Sequence, residues 1–181
     1  CIGNKRKLVK NIYDIVSNIA ERLGKEKLNI LDGFAGSVVV SRQLSYIADT
    51  LHTNDLEYYS FLMANCYLKT PTIEQQERIK IKLDEMNKIS KEGKYEESFI
   101  SKLYAPKDTE NIEEGERCFY TRENGLIIDS LRKYIESNVE EELFSYLIVP
   151  LLNKASIHVN TCGVFKGFYK DGKIGCFGGK G

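Results

Sequence analysis

An α/β fold built on a parallel sheet is what the first seventy residues predict, on three observations. A helical stretch over 7–23 is followed by a short apolar run that ends in an acid, Leu28-Asn29-Ile30-Leu31-Asp32. That run passes directly into a glycine-containing turn, Gly33-Phe34-Ala35-Gly36-Ser37, and then into a second helical stretch. A second extended segment closes on another acid, Asp55. Strand, glycine loop, helix and strand in that order open a βαβ unit, whose strands run parallel and whose ligand lies at their carboxyl ends.

Each element has its own warrant. Leu8, Ile12, Ile15, Ile19 and Leu23 recur at helical spacing with polar residues between them, and Gly24 supplies a stop. Residues 38–47 carry Val39, Val40, Leu44 and Ile47 on one side of a second helix. Thr50-Leu51-His52-Thr53-Asn54 is a strand that is weak on its own, and 58–68 is a third helix. From Pro71 to about Arg122 the sequence is charged and poorly periodic; it predicts a helix over 72–92 and then an irregular stretch around 108–116, an insertion or a flexible connector. Two apolar helices follow, over 124–136 and 139–153, with Pro150 expected to kink or end the second. The end of the chain reads as short β pieces, 157–160, 164–170 and 173–177, with Asp171-Gly172 as a hairpin turn between the last two.

Composition bounds the class. A chain of 181 residues with 42% hydrophobic content suits one domain, or one domain with a small appendage. Five cysteines at wide spacing, without a C-x-x-C pair, read as free thiols in a reducing cytosol. His52 and His158 have no ligand-like spacing, so no metal is expected. No apolar run approaches the ~20 residues of a membrane span, and no signal peptide is visible. The chain opens on Cys1 without a methionine and closes on Gly-Gly-Lys-Gly, so both ends read as cut. Formal net charge is zero, which argues against a generic nucleic-acid binder, yet its distribution is uneven. Residues 1–71 carry nine basic against seven acidic side chains, 72–148 twelve against eighteen, and 149–181 five against one. A polyanion would be drawn to the two ends and repelled by the middle.

The chemistry concentrates in three places. Gly36 lets backbone approach a ligand, with the amide donors of the next helix behind it, although a glycine in a strand-to-helix turn also has a purely structural use. Asp55 lies 19 residues beyond Gly36, at the end of the next strand, where a carboxylate can accept from two ribose hydroxyls. It is equally placed to be the N-cap of the helix that begins at Tyr58. Together they point to an adenosine-containing ligand. Lys5, in a basic run before the first helix, is a solvated lysine unless the other two motifs give it a partner.

With that third element the pattern resembles Dam-type adenine-N6 DNA methyltransferases. The segment Gly3-Asn4-Lys5 within 1–8, then Asp32-Gly33-Phe34-Ala35-Gly36, then Asn54-Asp55 follow the order of that family's Tyr-x-Gly-x-Lys-x-x-Leu, Asp-x-Phe-x-Gly and Asn-Asp segments. The resemblance implies a Rossmann-like S-adenosylmethionine-dependent methyltransferase fold, here incomplete, with a mainly helical insertion and a C-terminal β-hairpin region. It implies S-adenosylmethionine as the ligand, held by Ile2, Gly3, Lys5, Asp32, Phe34, Ala35, Gly36, Ser37, Asp55 and Leu56. Lys5 would meet the methionyl carboxylate and Asp55 the ribose. Residues 158–167 resemble the family's Arg-Tyr-Asn-x-x-Gly-x-Phe-Asn segment, which implies double-stranded DNA as partner and His158, Asn160, Phe165, Lys166 and Lys170 as its contacts. A solvent-exposed glycine-rich hairpin is the other reading of that segment.

Departures from the pattern carry their own expectations. Cys1 stands where an aromatic is usual, Val38 where many members have a second glycine, and His158 where they have an arginine. The family does its chemistry with Asp-Pro-Pro-Tyr, and the three prolines here, Pro71, Pro106 and Pro150, are never adjacent. Residues 1–69 therefore read as the cofactor part, 70–153 as a helical insertion or recognition region, and 154–181 as a DNA-contacting hairpin. The expected whole is a site-specific adenine-N6 methyltransferase of a cytoplasmic restriction-modification setting, with a restriction endonuclease acting on the same site. This chain alone would lack catalytic residues and activity. A non-catalytic cofactor- or DNA-binding module is the alternative, and another nucleotide-binding α/β protein a third.

Overall fold

A computed structural model describes residues 5–161 and 167–178. The chain divides into two compact units, residues 1–72 and 73–181.

In the first unit a 3-10 turn, Lys5–Leu8, leads into helix α1, Val9–Arg22. Gly24 ends it in the left-handed region at φ +62°; Gly24 N–H donates to Glu21 O at 3.0 Å and Lys25 N–H to Ala20 O at 3.0 Å, a closing pattern that glycine permits. Strand β1, Leu28–Asp32, and strand β2, Ala48–Thr53, pair in parallel with Leu31 opposite His52 and Asp32 opposite Thr53. The expected strand over 50–54 forms as β2, and the ladder to β1 supplies what its polar composition does not. Between the strands, α2 is confined to Val39–Leu44, shorter than the expected 38–47. Helix α3, Tyr58–Leu68, follows β2. The buried apolar side chains here are Ala20, Ala35, Val38, Val40, Leu44 and Leu62, while Ile15 and Leu31 remain 60% and 70% exposed.

The second unit is mainly helical: α4, Ile73–Glu92; α5, Phe99–Leu103; α6, Arg122–Asn138; and α7, Glu141–Ile157. Ile135, Leu143, Leu147 and Val149 lose all exposure and form its core with Ile148 and Met86. Arg78 of α4 pairs with Glu140 at 3.1 Å and Glu142 at 2.5 Å, at the start of α7. The short α5 was not predicted. Its first turn is capped from α6, where buried Asp129 accepts from the N–H groups of Ser98, Ile100 and Ser101 at 3.1, 2.9 and 2.7 Å. Gly125 lets the two helices approach: a Cβ there would lie 3.0 Å from Ser101 Cα.

Of the two outcomes expected at Pro150, a kink or an end, the second is overturned, since α7 continues to Ile157. Leu147 and Val149 are buried just before it, and Tyr120 Oη donates to Ala155 O at 3.2 Å beyond it, so tertiary contacts outweigh the missing donor. No strand forms over 157–160, because Ile157 closes α7 and His158 is its C-cap. Of the expected strand over 164–170 only Lys170 is extended, residues 164–166 lying outside the described residues. The hairpin pairs β3, Lys170–Asp171, with β4, Ile174–Gly175, and its two-residue turn is Gly172-Lys173, one position later than predicted. Asp171 pairs with Ile174, and Gly172 takes the positive φ, +59°.

The irregular stretch 108–116 is organised by its own carboxylates. Glu116 accepts from the N–H groups of Lys107 at 3.0 Å and Glu113 at 2.9 Å; Asp108 accepts from Glu110 N–H at 2.9 Å. Among the described residues no helix is long and apolar enough to cross a membrane.

Candidate functional site

Parallel pairing brings the carboxyl ends of β1 and β2 side by side, and the ladder continues past both. Asn54 N–H donates to Asp32 O at 2.8 Å, and Ala35 N–H donates back to Asn54 O at 3.0 Å. Asn54 Nδ2 donates to Gly33 O at 3.1 Å. The glycine loop after β1 is thereby laid across the end of β2, and Asp55 completes the closure. Its Oδ2 accepts from Gly36 N–H at 2.8 Å and its Oδ1 from Glu57 N–H at 3.0 Å. These bonds favour the charged form, those from Glu57 and Gly36 first, and hold the Asp55 carboxyl below its ordinary acidity range; the Lys5 ammonium adds to the effect.

Asp55 is not the N-cap of α3. That position is Glu57, without a side-chain cap, and the Asp55 carboxylate reaches two residues forward to its N–H instead. Asp32 turns inward, where its Oδ2 accepts from the hydroxyl of fully buried Ser41 in α2 at 2.5 Å, which ties the end of β1 to the following helix. Ala35 is buried, Gly36 and Ser37 are half-buried, and Phe34 and Leu56 stand 84% and 97% exposed, so large apolar side chains flank the carboxylate. Gly36 has φ +52° and open space where a Cβ would sit. Ile2 and Gly3 lie outside the described residues.

Val38 explains what a glycine does at that place. It begins α2 with φ +53° and ψ +19°, the left-handed region that a β-branched residue enters only under strain. Its side chain has no exposed surface, so it lines no solvent-open cavity. The departure bears on backbone conformation rather than on room at the loop.

The C-terminal candidates are dispersed. His158 is exposed and lines an apolar cavity of about 700 Å³ with residues of α4, α6 and α7. Asn160 commits both amide hydrogens internally, to Cys118 O at 2.7 Å and Cys176 O at 2.9 Å, which clamps the hairpin to the segment before α6. Only its side-chain carbonyl remains for any outside partner. The clamp has no local sequence signal, since its partners lie 42 and 16 residues away. Gly175 completes it, because a Cβ there would fall 2.3 Å from Cys118 Sγ. The Lys170 ammonium sits over the Phe168 ring at 5.2 Å. Phe165 and Lys166 lie outside the described residues. No group of three or more His, Cys, Asp or Glu side chains is placed to hold a metal among the described residues.

A glycine loop and an anchored acid stand together at the carboxyl ends of two parallel strands in a mixed α/β chain. Residues 2–174 match the model of the D12 class N6 adenine-specific DNA methyltransferases, and the chain belongs to that family. It is similar to the type II methyltransferase M.CviAII of Paramecium bursaria Chlorella virus 1, 27% identical over 172 residues, 93% of this chain and 48% of that protein. It is also similar to the type II methyltransferase M.NlaIII of Neisseria lactamica, 28% identical over 177 residues, 94% of this chain and 49% of that protein. The chain spans about half the length of these curated relatives. No solved structure matches it significantly. The methyl donor of this family is S-adenosylmethionine.

Proposed function

We propose that this chain holds S-adenosylmethionine at the strand ends and contacts double-stranded DNA, as part of an enzyme that methylates N6 of adenine. The observation that carries the reading is Asp55, pinned to the glycine loop by Gly36 N–H and feeling the charge of Lys5. A carboxylate offers about four acceptor positions. Gly36 and Glu57 N–H fill two of them and Leu56 N–H bears on the same carboxylate, so the open side that remains is what a ribose hydroxyl would meet. Gly36 presents open backbone, and exposed Phe34 and Leu56 offer apolar surface to a base or a methionine chain. The residues present thus suit this cofactor, with Lys5 on its carboxylate as a charge-assisted contact.

When bound, S-adenosylmethionine supplies a methyl group on a sulfonium. This chain's share is to hold and orient the donor and to keep Asp55 ionised. A target adenine has to leave the duplex to be reached. The acceptors and aromatic face that the family offers it come from Asp-Pro-Pro-Tyr, and no two prolines here are adjacent. The 181-residue chain by itself accordingly transfers no methyl group. In this reading residues 1–69 form the cofactor part of a Rossmann-like domain, 70–153 a recognition region and 154–181 a DNA-contacting segment. The enzyme works in the cytoplasm beside a restriction endonuclease of the same site specificity.

Calorimetric titration tests the reading. S-adenosylmethionine should bind in preference to ATP and NAD, and Lys5→Ala and Asp55→Ala should each weaken it about tenfold or more, as loss of a charge-assisted contact predicts. Preference for ATP or NAD would sink it.

A further inference from the structure

Residues 72–148 are acidic overall, with twelve basic against eighteen acidic side chains, and on charge alone would repel DNA. The structure gathers four of those twelve cations, Lys102, Lys107, Arg117 and Arg122, around one cleft of about 470 Å³ whose lining carries two acids, Glu97 and Glu116, with Asp108 close enough to act on Glu116. Both acids are committed. Glu97 pairs with Arg122 at 2.9 Å. Glu116 accepts the N–H groups of Glu113 and Lys107, which hold it ionised, with the Lys107 ammonium nearby. Lys102, Lys107 and Arg117 are exposed, and the Arg117 guanidinium lies over the Tyr104 ring at 5.6 Å, a face contact that leaves its N–H edge for an acceptor. The cleft is built from the end of α5, the turn after it and the strip before α6, three places too far apart in sequence for any charge run to reveal them.

We infer that this cleft grips the DNA sugar-phosphate backbone, a contact that positions the duplex without reading its sequence. The inference rests on the DNA-methyltransferase reading and adds the surface through which unit two meets its substrate.

Fluorescence anisotropy of the 181-residue chain with a labelled duplex of arbitrary sequence, from about 50 to 200 mM salt, tests it. Each phosphate contact contributes about 0.9 to the slope of log affinity against log salt. The triple variant Lys102→Gln, Lys107→Gln, Arg117→Gln should flatten that slope by about two to three units, and each single variant by about one. A control that removes the same charge elsewhere, Lys80→Gln, Lys91→Gln, Lys94→Gln, should leave it nearly unchanged. An unchanged slope in the cleft variants, or equal flattening in the control, overturns the cleft and leaves the DNA reading standing. Absence of any salt-dependent binding by the wild-type chain defeats the DNA reading itself, and the cleft with it.

Discussion

The two units hold themselves together by different means. In residues 73–181 large aliphatic side chains meet: Ile135, Leu143, Leu147 and Val149 are wholly buried. Among the described residues of 1–72 the one buried apolar side chain without exposure is Val38; Leu44 and Leu62 keep 5% and 7%, and Ile15, Leu31 and Phe34 face outward. What orders the loop of the first unit is a mesh of backbone and carboxylate hydrogen bonds among Asp32, Ala35, Gly36, Asn54 and Asp55. A loop can therefore be well ordered by local polar geometry while the core beneath it is thin. A two-stranded parallel sheet covers little apolar surface by itself, since such sheets are ordinarily buried on both faces.

The sharpest way to break this contrast is to separate the units. A polypeptide of residues 73–178 should unfold cooperatively on heating, followed by circular dichroism. A polypeptide of residues 1–72 should give a broad, non-cooperative signal, since domains with little buried area are marginal. A sharp transition in the shorter piece would show that its hydrogen-bond mesh suffices without a filled core.

A smaller effect comes from exchanging one carboxylate in each unit. Asp129→Ala leaves the Ile100 and Ser101 N–H groups without their acceptor, while Ser98 N–H keeps Ser101 Oγ and the Ser101 hydroxyl keeps Ser98 O. It should lower stability by about 2 kcal/mol, read as a shifted urea midpoint. Asp55→Ala acts on a half-exposed carboxylate and should move that midpoint little while weakening cofactor binding. Equal midpoint shifts would erase the distinction between a carboxylate that holds the fold and one proposed to hold a ligand.

Legibility in the sequence follows the same division. The Gly36–Asp55 relation could be read because both residues sit at the ends of consecutive parallel strands, so their spacing encodes proximity. Asp129 could not be read: its partners lie 28 to 31 residues away on a five-residue helix too short to show a period. Pro150 misled for the reverse reason, a strong local rule overridden by burial of Leu147 and Val149. The register of β2 emerged only from its partner, and Asn160 looked like an outward-facing polar residue until the carbonyls of Cys118 and Cys176 took its amide.

The finest test lies inside the first unit, at Val38. At an ordinary buried position glycine is worse than alanine, because it adds unfolded-state freedom and removes a side chain. Val38 occupies the left-handed region at φ +53°, where any L-residue with a Cβ is strained by about 1–2 kcal/mol and a β-branched one by more. Replacement by alanine gives up most of the buried volume and keeps much of the strain; replacement by glycine gives up slightly more volume and removes it. The order should therefore invert, with Val38→Gly more stable than Val38→Ala by about 1 kcal/mol. Hydrogen exchange at the Ala35 and Gly36 amides, which donate to Asn54 O and Asp55, reports the opening of this loop directly. Faster exchange in Val38→Gly than in Val38→Ala would mean that the side chain, and not the backbone angle, governs the turn.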